Sequence, residues 1–129
     1  VPCFLDFGET GTRGNPSDFA IQNLRRLALD HPELPLIFSD VMGGLGINPA
    51  VVPLMGRCPN LHIDICGILE YWRMVGRKMG PERVLFATAA PFTDPGILIS
   101  NVQCARGFSP EAKKMMCGDN VRRLLREVR

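Results

Sequence analysis

Val84-Leu85-Phe86-Ala87-Thr88-Ala89-Ala90-Pro91-Phe92 is the stretch from which the fold can be read. Its opening residues are apolar or β-prone without alternation, the pattern of a strand buried on both faces. Gly80-Pro81, a helix-ending pair, stands just before it. Asp94-Pro95, a cap residue followed by proline at a first helical position, stands just after it. The segment is therefore predicted as a strand, Val84–Ala89, set between two helices.

The same arrangement recurs upstream. Val1–Leu5, Leu36–Ser39 and Leu61–Cys66 are apolar runs, each followed by a loop rich in Gly or Pro and then by a helical pattern. The first helix is predicted to open near Asn15-Pro16-Ser17-Asp18 and to end before His31-Pro32. Ala20, Ile21, Leu24, Leu27 and Ala28 follow helical spacing, while Arg25, Arg26 and Asp30 face away. A second helix has the entry signal Asn48-Pro49, and Pro53 should keep it short or kinked. The third spans about Glu70 to Met79, with Tyr71, Trp72, Met74 and Val75 toward the core and Arg73, Arg77 and Lys78 in solvent. After the helix at Asp94-Pro95, another opens with Ser109-Pro110-Glu111 and ends at Gly118. A last helix covers about Asn120 to Val128.

Strands alternating with helices imply parallel β-structure with crossover connections, hence an α/β fold. Four such (β/α) units are half of a (β/α)8 barrel, whose usual length is about 250 residues. The alternative, a small open doubly-wound sheet, would need Gly43-Gly44-Leu45-Gly46 as its phosphate loop, and that run lacks the G-x-G-x-x-G spacing. The 129 residues read as one domain, 1–129, without linker or low-complexity segment.

Fifteen basic against thirteen acidic residues give a net charge of +2, which points to neither nucleic acid nor an anionic membrane as partner. Apolar runs are interrupted well before the roughly 18 residues of a membrane span, and no signal-peptide pattern opens the chain. Cys3, Cys58, Cys66, Cys104 and Cys117 form no regular framework, so reduced thiols and a cytoplasmic location are expected. Cys58 and His62 have no second Cys/His pair at zinc-site spacing beside them.

Laid out in this order, the chain resembles the C-terminal half of a barrel of the amidohydrolase-related family, which includes aminocarboxymuconate-semialdehyde decarboxylase and related hydrolases. Val1-Pro2-Cys3-Phe4-Leu5-Asp6-Phe7-Gly8 resembles the family's fifth strand, and Leu36 to Gly44 its sixth. Pro59-Asn60-Leu61-His62-Ile63-Asp64-Ile65-Cys66-Gly67 resembles the seventh, and Val84–Phe92 the eighth. Gly118-Asp119-Asn120-Val121-Arg122-Arg123-Leu124-Leu125 resembles the closing Gly-x-Asn-Ala-x-Arg-Leu helix.

The resemblance implies a divalent metal such as zinc, held by two His of the first strand, His of the fifth and sixth, and Asp of the eighth. The last three positions correspond here to Asp6, Val41 (or Asp40, one residue earlier) and Ala89. Valine and alanine supply no ligand, so no cofactor and a degraded metal site are expected. The first-strand pair lies outside this chain.

Barrel active sites form at the C-terminal ends of the strands. If Cys66 points into the barrel, alternation sends Asp64 and His62 inward with it. Asp6 and Glu9, with Arg13, crowd the first strand's exit. Asp6, Glu9, Asp64 and Cys66 are thus the candidate substrate-binding residues. No catalytic residue is singled out. Cys66 and His62 lie four residues apart along one strand, roughly 13 Å, too far for a nucleophilic pair.

The activity implied is hydrolysis or decarboxylation of a small carboxylate or amide. The alternative is a non-catalytic binding or assembly module on the same scaffold. Half a barrel exposes two strand edges, Val1–Leu5 and Val84–Ala89, that a partner must cover. Closure by a second copy or by the missing N-terminal half-barrel is therefore expected, and a chain beginning on a strand residue without Met favours a fragment.

Overall fold

In the computed structural model, which describes residues 2–6, 18–39, 50–66 and 71–126 (the backbone alone at 6 and 18–20), the apolar runs pair in chain order. Strands β1 (Cys3–Asp6), β2 (Leu36–Ser39), β3 (Leu61–Asp64) and β4 (Val84–Leu85) form one sheet in the order β1-β2-β3-β4. Every neighbouring pair is parallel, and Cys3 aligns with Leu36, Leu36 with Leu61, and Ile63 with Val84. Sequential parallel neighbours joined by helices are the arrangement expected of a run of barrel units.

One face of the sheet lies under the helices. Leu36, Phe38, Leu61, Ile63 and Val84 pack there against α1 (Asp18–Asp30), α2 (Val51–Arg57), α3 (Tyr71–Lys78) and α4 (Pro95–Gln103). The helices supply Leu24 and Ala28, Val51 and Leu54, Trp72 and Val75, and Leu98 and Val102. α1 ends at Asp30, as its pattern predicts, while the segments Asn15–Ser17 and Asn48–Pro49 lie outside the described residues. α2 is short, as Pro53 suggests, with seven residues, and Pro53 falls in its first turn, where a helix leaves its N–H groups unbonded anyway. Asp94 caps α4 by accepting a hydrogen bond from the Gly96 N–H at 2.8 Å. Ser109 caps α5 (Pro110–Lys114) by accepting one from the Ala112 N–H at 3.2 Å.

Several expectations need correction. The strand predicted over Val84–Ala89 keeps ladder geometry only at Val84–Leu85. Beyond it, the Phe86 N–H donates to the Met116 carbonyl at 3.0 Å, and the Ala89 carbonyl accepts from Phe92 and Thr93 in a turn. The helix opening at Ser109 does not end at Gly118: residues Met115–Asp119 form a π turn that runs on into α6 (Asn120–Arg126). The Asn120 N–H reaches back five residues to the Met115 carbonyl, which leaves the Met116 carbonyl for Phe86.

On α3, Tyr71 is 38% exposed and stands outside the core, whereas Gly76 is buried in its place. Gly76 lets the Phe108 ring approach, and that ring stacks on Trp72 with centroids 5.6 Å apart. Nor is the basic face of α3 simply solvated. Arg73 donates to the Asn101 side chain, and Arg77 donates to the Arg106 carbonyl while lying over the Phe108 ring.

The edge expectation changes as well. In a parallel ladder alternate residues point their N–H and C=O to opposite sides. The Leu85 carbonyl accepts from Ile65 on the β3 side, so Val84 and Phe86 direct their backbone groups outward. There the Val84 carbonyl accepts from Asn120 Nδ2 at 2.8 Å, beside the Phe86–Met116 bond. The base of the β4 edge is therefore covered by the chain's own last helical segment.

Candidate active-site face

The face of the sheet turned from the helices carries the polar residues. Because Ile63 and Ile65 lie in the helix-side core, His62 and Asp64 project to the opposite face. Ile37 and Leu85 share that face, sealed by Leu124 of α6. At strand mid-height it is thus mixed: Ile37 aligns with His62, and Phe4, 62% exposed, aligns with Ile37.

One step nearer the strand exits the row becomes polar. Asp6 pairs with Ser39 in register, and Asp64 with Leu85. Continuing the Phe38–Ile63 pairing by one residue sets Ser39 beside Asp64, with strands about 4.8 Å apart. Ser39 and Asp64 are both buried. Asp64 Oδ1 accepts the Cys66 N–H at 2.9 Å, an Asx-type turn that ends β3 two residues before the predicted Cys66 and anchors both residues where the strand exits.

Of the four residues proposed to face a ligand, the structure therefore brings Asp64 and Cys66 together, both buried. The backbone of Asp6 lies two strands away on the same row. Glu9 lies outside the described residues, as do Arg13, Asp40, Val41 and the Gly43–Gly46 run. Ala89 is partly buried and holds φ 51°. Among the described residues no three His, Cys, Asp or Glu side chains gather as a metal set, and the methyl of Ala89 has no lone pair to offer one. The described residues do not fit a bound metal. What they present is a carboxylate, a thiol and a hydroxyl at the strand exits, groups that can hydrogen-bond a polar ligand.

At the opposite end of the sheet three polar side chains do structural work that the residue pattern did not single out. Asn60 Nδ2 reaches the carbonyls of Ala28, His31 and Leu34, at 3.2, 2.9 and 3.1 Å, tying the exit of α1 to the start of β3. Arg83 donates from Nε to the Leu61 carbonyl at 2.8 Å and from Nη2 to that of Cys58 at 2.7 Å. Asn120 Nδ2 bonds the carbonyls of Pro81 and Val84, both at 2.8 Å. Burial is the main cause that lowers the pKa of His62 to about 4, with Arg83 and Arg123 acting in the same direction, so its imidazole is neutral at pH 7. The available signal was position: Asn60 and Arg83 each immediately precede an apolar strand.

Among solved structures, an uncharacterised TIM-barrel protein from Bordetella bronchiseptica superposes on 98% of this chain and 46% of its own, with TM-score 0.70 and 20% identity. A 2,6-dihydroxybenzoate decarboxylase from Rhizobium superposes on 86% of this chain and 41% of its own, with TM-score 0.62 and 18% identity. The 5-carboxyvanillate decarboxylase LigW from Sphingomonas paucimobilis superposes on 93% and 44%, with TM-score 0.62 and 17% identity. At these identities the likeness is one of fold, and the chain spans under half the length of each barrel. No curated protein matches the sequence. The profile of one family, described as Amidohydrolase, matches residues 8–126, nearly the whole chain. With the parallel (β/α) order and the barrel likeness, that match places the chain in the amidohydrolase family.

Proposed function

We propose that this chain is the C-terminal half of an amidohydrolase-type barrel, of hydrolase or decarboxylase ancestry, in which the family's metal site is degraded. The observation that carries the reading is Ala89. The resemblance puts the family's metal-binding aspartate at this position, and here it is a methyl in a left-handed turn. Activity on such a scaffold is hydrolysis or decarboxylation of a small carboxylate or amide, at the strand exits of Asp6, Asp64 and Cys66, with Glu9 as the fourth candidate from the sequence. A second reading, a non-catalytic binding or assembly module, is favoured by the way the base of the fold is kept. Asn60, Arg83 and Asn120 hold the base through bonds to backbone carbonyls, whereas Ala89 offers a ligand nothing but a methyl.

In either reading a partner completes the barrel, as a second copy or as the half that precedes this one, and the working location is the cytoplasm. Elemental analysis of protein purified without chelator tests the metal claim. Less than a tenth of an equivalent of zinc, manganese or iron per chain is expected, and no heat on zinc titration. One tightly bound equivalent per chain would overturn the degraded-site reading. Metal-free protein that still releases CO2 from a hydroxybenzoate would overturn the non-catalytic one.

A further inference from the structure

On the outer, helical side of the sheet, α1 and α2 enclose a groove of about 270 Å3. Ile21, Leu54 and Pro53 make its apolar walls, Gln22 stands on the rim, and Arg25 and Arg57 flank it. No carboxylate is among the described residues that line the groove. We propose that this groove is a binding site for a small anion, a carboxylate carried on a short apolar body.

The argument begins with helix spacing. Arg26 finds Asp30 four residues on, at 3.5 Å, an ordinary pair on the solvent side of α1. Arg25, one residue earlier, has Ile21 and Leu29 at the equivalent spacings, so its own helix offers no counter-charge. Arg57 stands in the last turn of α2, with Pro53 four residues before it. Among the described residues neither guanidinium finds a hydrogen-bond or salt-bridge partner, whereas Arg73, Arg77, Arg83, Arg122 and Arg123 are all bonded.

The Cys58 thiol, a group able to carry a negative charge, feels both arginines as well as Arg83. Burial outweighs the three cations and raises its pKa, so the thiol stays neutral and balances neither of them. Two cations converging on a groove without an acid are relieved by an anion, and guanidinium recognises carboxylate through paired N–H donors. The walls add the second requirement. Leu54 is buried and Ile21 half-buried, so a ligand with a few methylenes gains contact that a bare ion lacks. The volume lies just below the usual range for ligand pockets, about 300–1,000 Å3, and selects a short molecule.

Two-dimensional NMR titration with butyrate tests the assignment, with butyramide and inorganic phosphate as probes lacking the charge and the apolar body respectively. Butyrate should shift the methyls of Ile21 and Leu54 and the Nε–H signals of Arg25 and Arg57 saturably, with a dissociation constant on the order of millimolar. Phosphate and butyramide should each bind at least fivefold more weakly. Both arginines are exposed, so Arg25→Gln and Arg57→Gln should leave the fold intact and each weaken butyrate at least fivefold, while Arg26→Gln changes nothing. Butyramide binding as well as butyrate overturns the anion claim, and phosphate binding as well overturns the apolar one. Shifts that grow linearly with concentration, or that survive both substitutions, mean ordinary screening of surface charge and end the proposal.

Discussion

Ala89 holds φ 51°, a region where a Cβ crowds the following carbonyl at a cost of roughly 1–2 kcal/mol. Ala89→Val should lower the unfolding free energy by at least about 1 kcal/mol, because branching at Cβ worsens that crowding, while Ala89→Gly should cost nothing or stabilise. Urea unfolding of the three proteins measures both. His62 sets a pH dependence. Its folded pKa of about 4 lies below the unfolded value near 6.5, burial being the main cause. As pH falls through 6.5 the unfolded chain takes up a proton that the folded one refuses, so stability is full above 6.5 and lost between 6.5 and 4. The loss amounts to about 3 kcal/mol. His62→Leu should flatten the stability profile over that window; an unchanged slope in the variant would assign it to other groups. Strand alternation put His62 and Asp64 on one face, and the family's inward position for Cys66 said which face that is. The left-handed turn at Ala89 was not readable, since nothing in Ala-Ala-Pro announces it and its geometry follows from bonds to Phe92 and Thr93.

Among the elements, α3 shows how one absent side chain fixes a contact. A Cβ on Gly76 would lie 2.9 Å from Cε1 of Phe108, closer than carbon atoms tolerate. Gly76→Ala should therefore destabilise by about 1–3 kcal/mol despite the better helix propensity of alanine, and Gly76→Ala with Phe108→Leu should recover most of that loss. Thermal melts of the single and double variants give the coupling. Helix starts were legible because their signals are local: Asp94-Pro95 and Ser109-Pro110 each hold cap and first turn within three residues. The π turn at Met115–Asp119 was not, because its cause is distant. Gly118 reads as a stop only until the N–H of Phe86, some thirty residues earlier, is known to need the Met116 carbonyl. Tyr71 misled for a related reason: helical spacing marks an apolar stripe, but the approach of the 105–108 segment decides which side of it is covered.

At the scale of the molecule, Asn120 joins the end of the chain to the edge of its sheet. Asn120→Ala leaves the Pro81 and Val84 carbonyls without their side-chain donor and should cost about 2–4 kcal/mol, read as a lower urea midpoint with unchanged slope. The barrel order was visible in the sequence because each unit repeats the same strand–loop–helix grammar. The strand exits were visible only in part: alternation orders Asp64 along its own strand, but the placing of Ser39 beside it comes from sheet register rather than from spacing. The covered base of β4 has a further consequence, for registry. On that side the Val84 carbonyl and the Phe86 N–H are already taken, so a strand arriving there begins its ladder at the Phe86 carbonyl or beyond. For the partner proposed above, the seam is then staggered toward the strand exits and falls beside Ala89, so the proposed join and the proposed ligand end of the fold would share the same few residues.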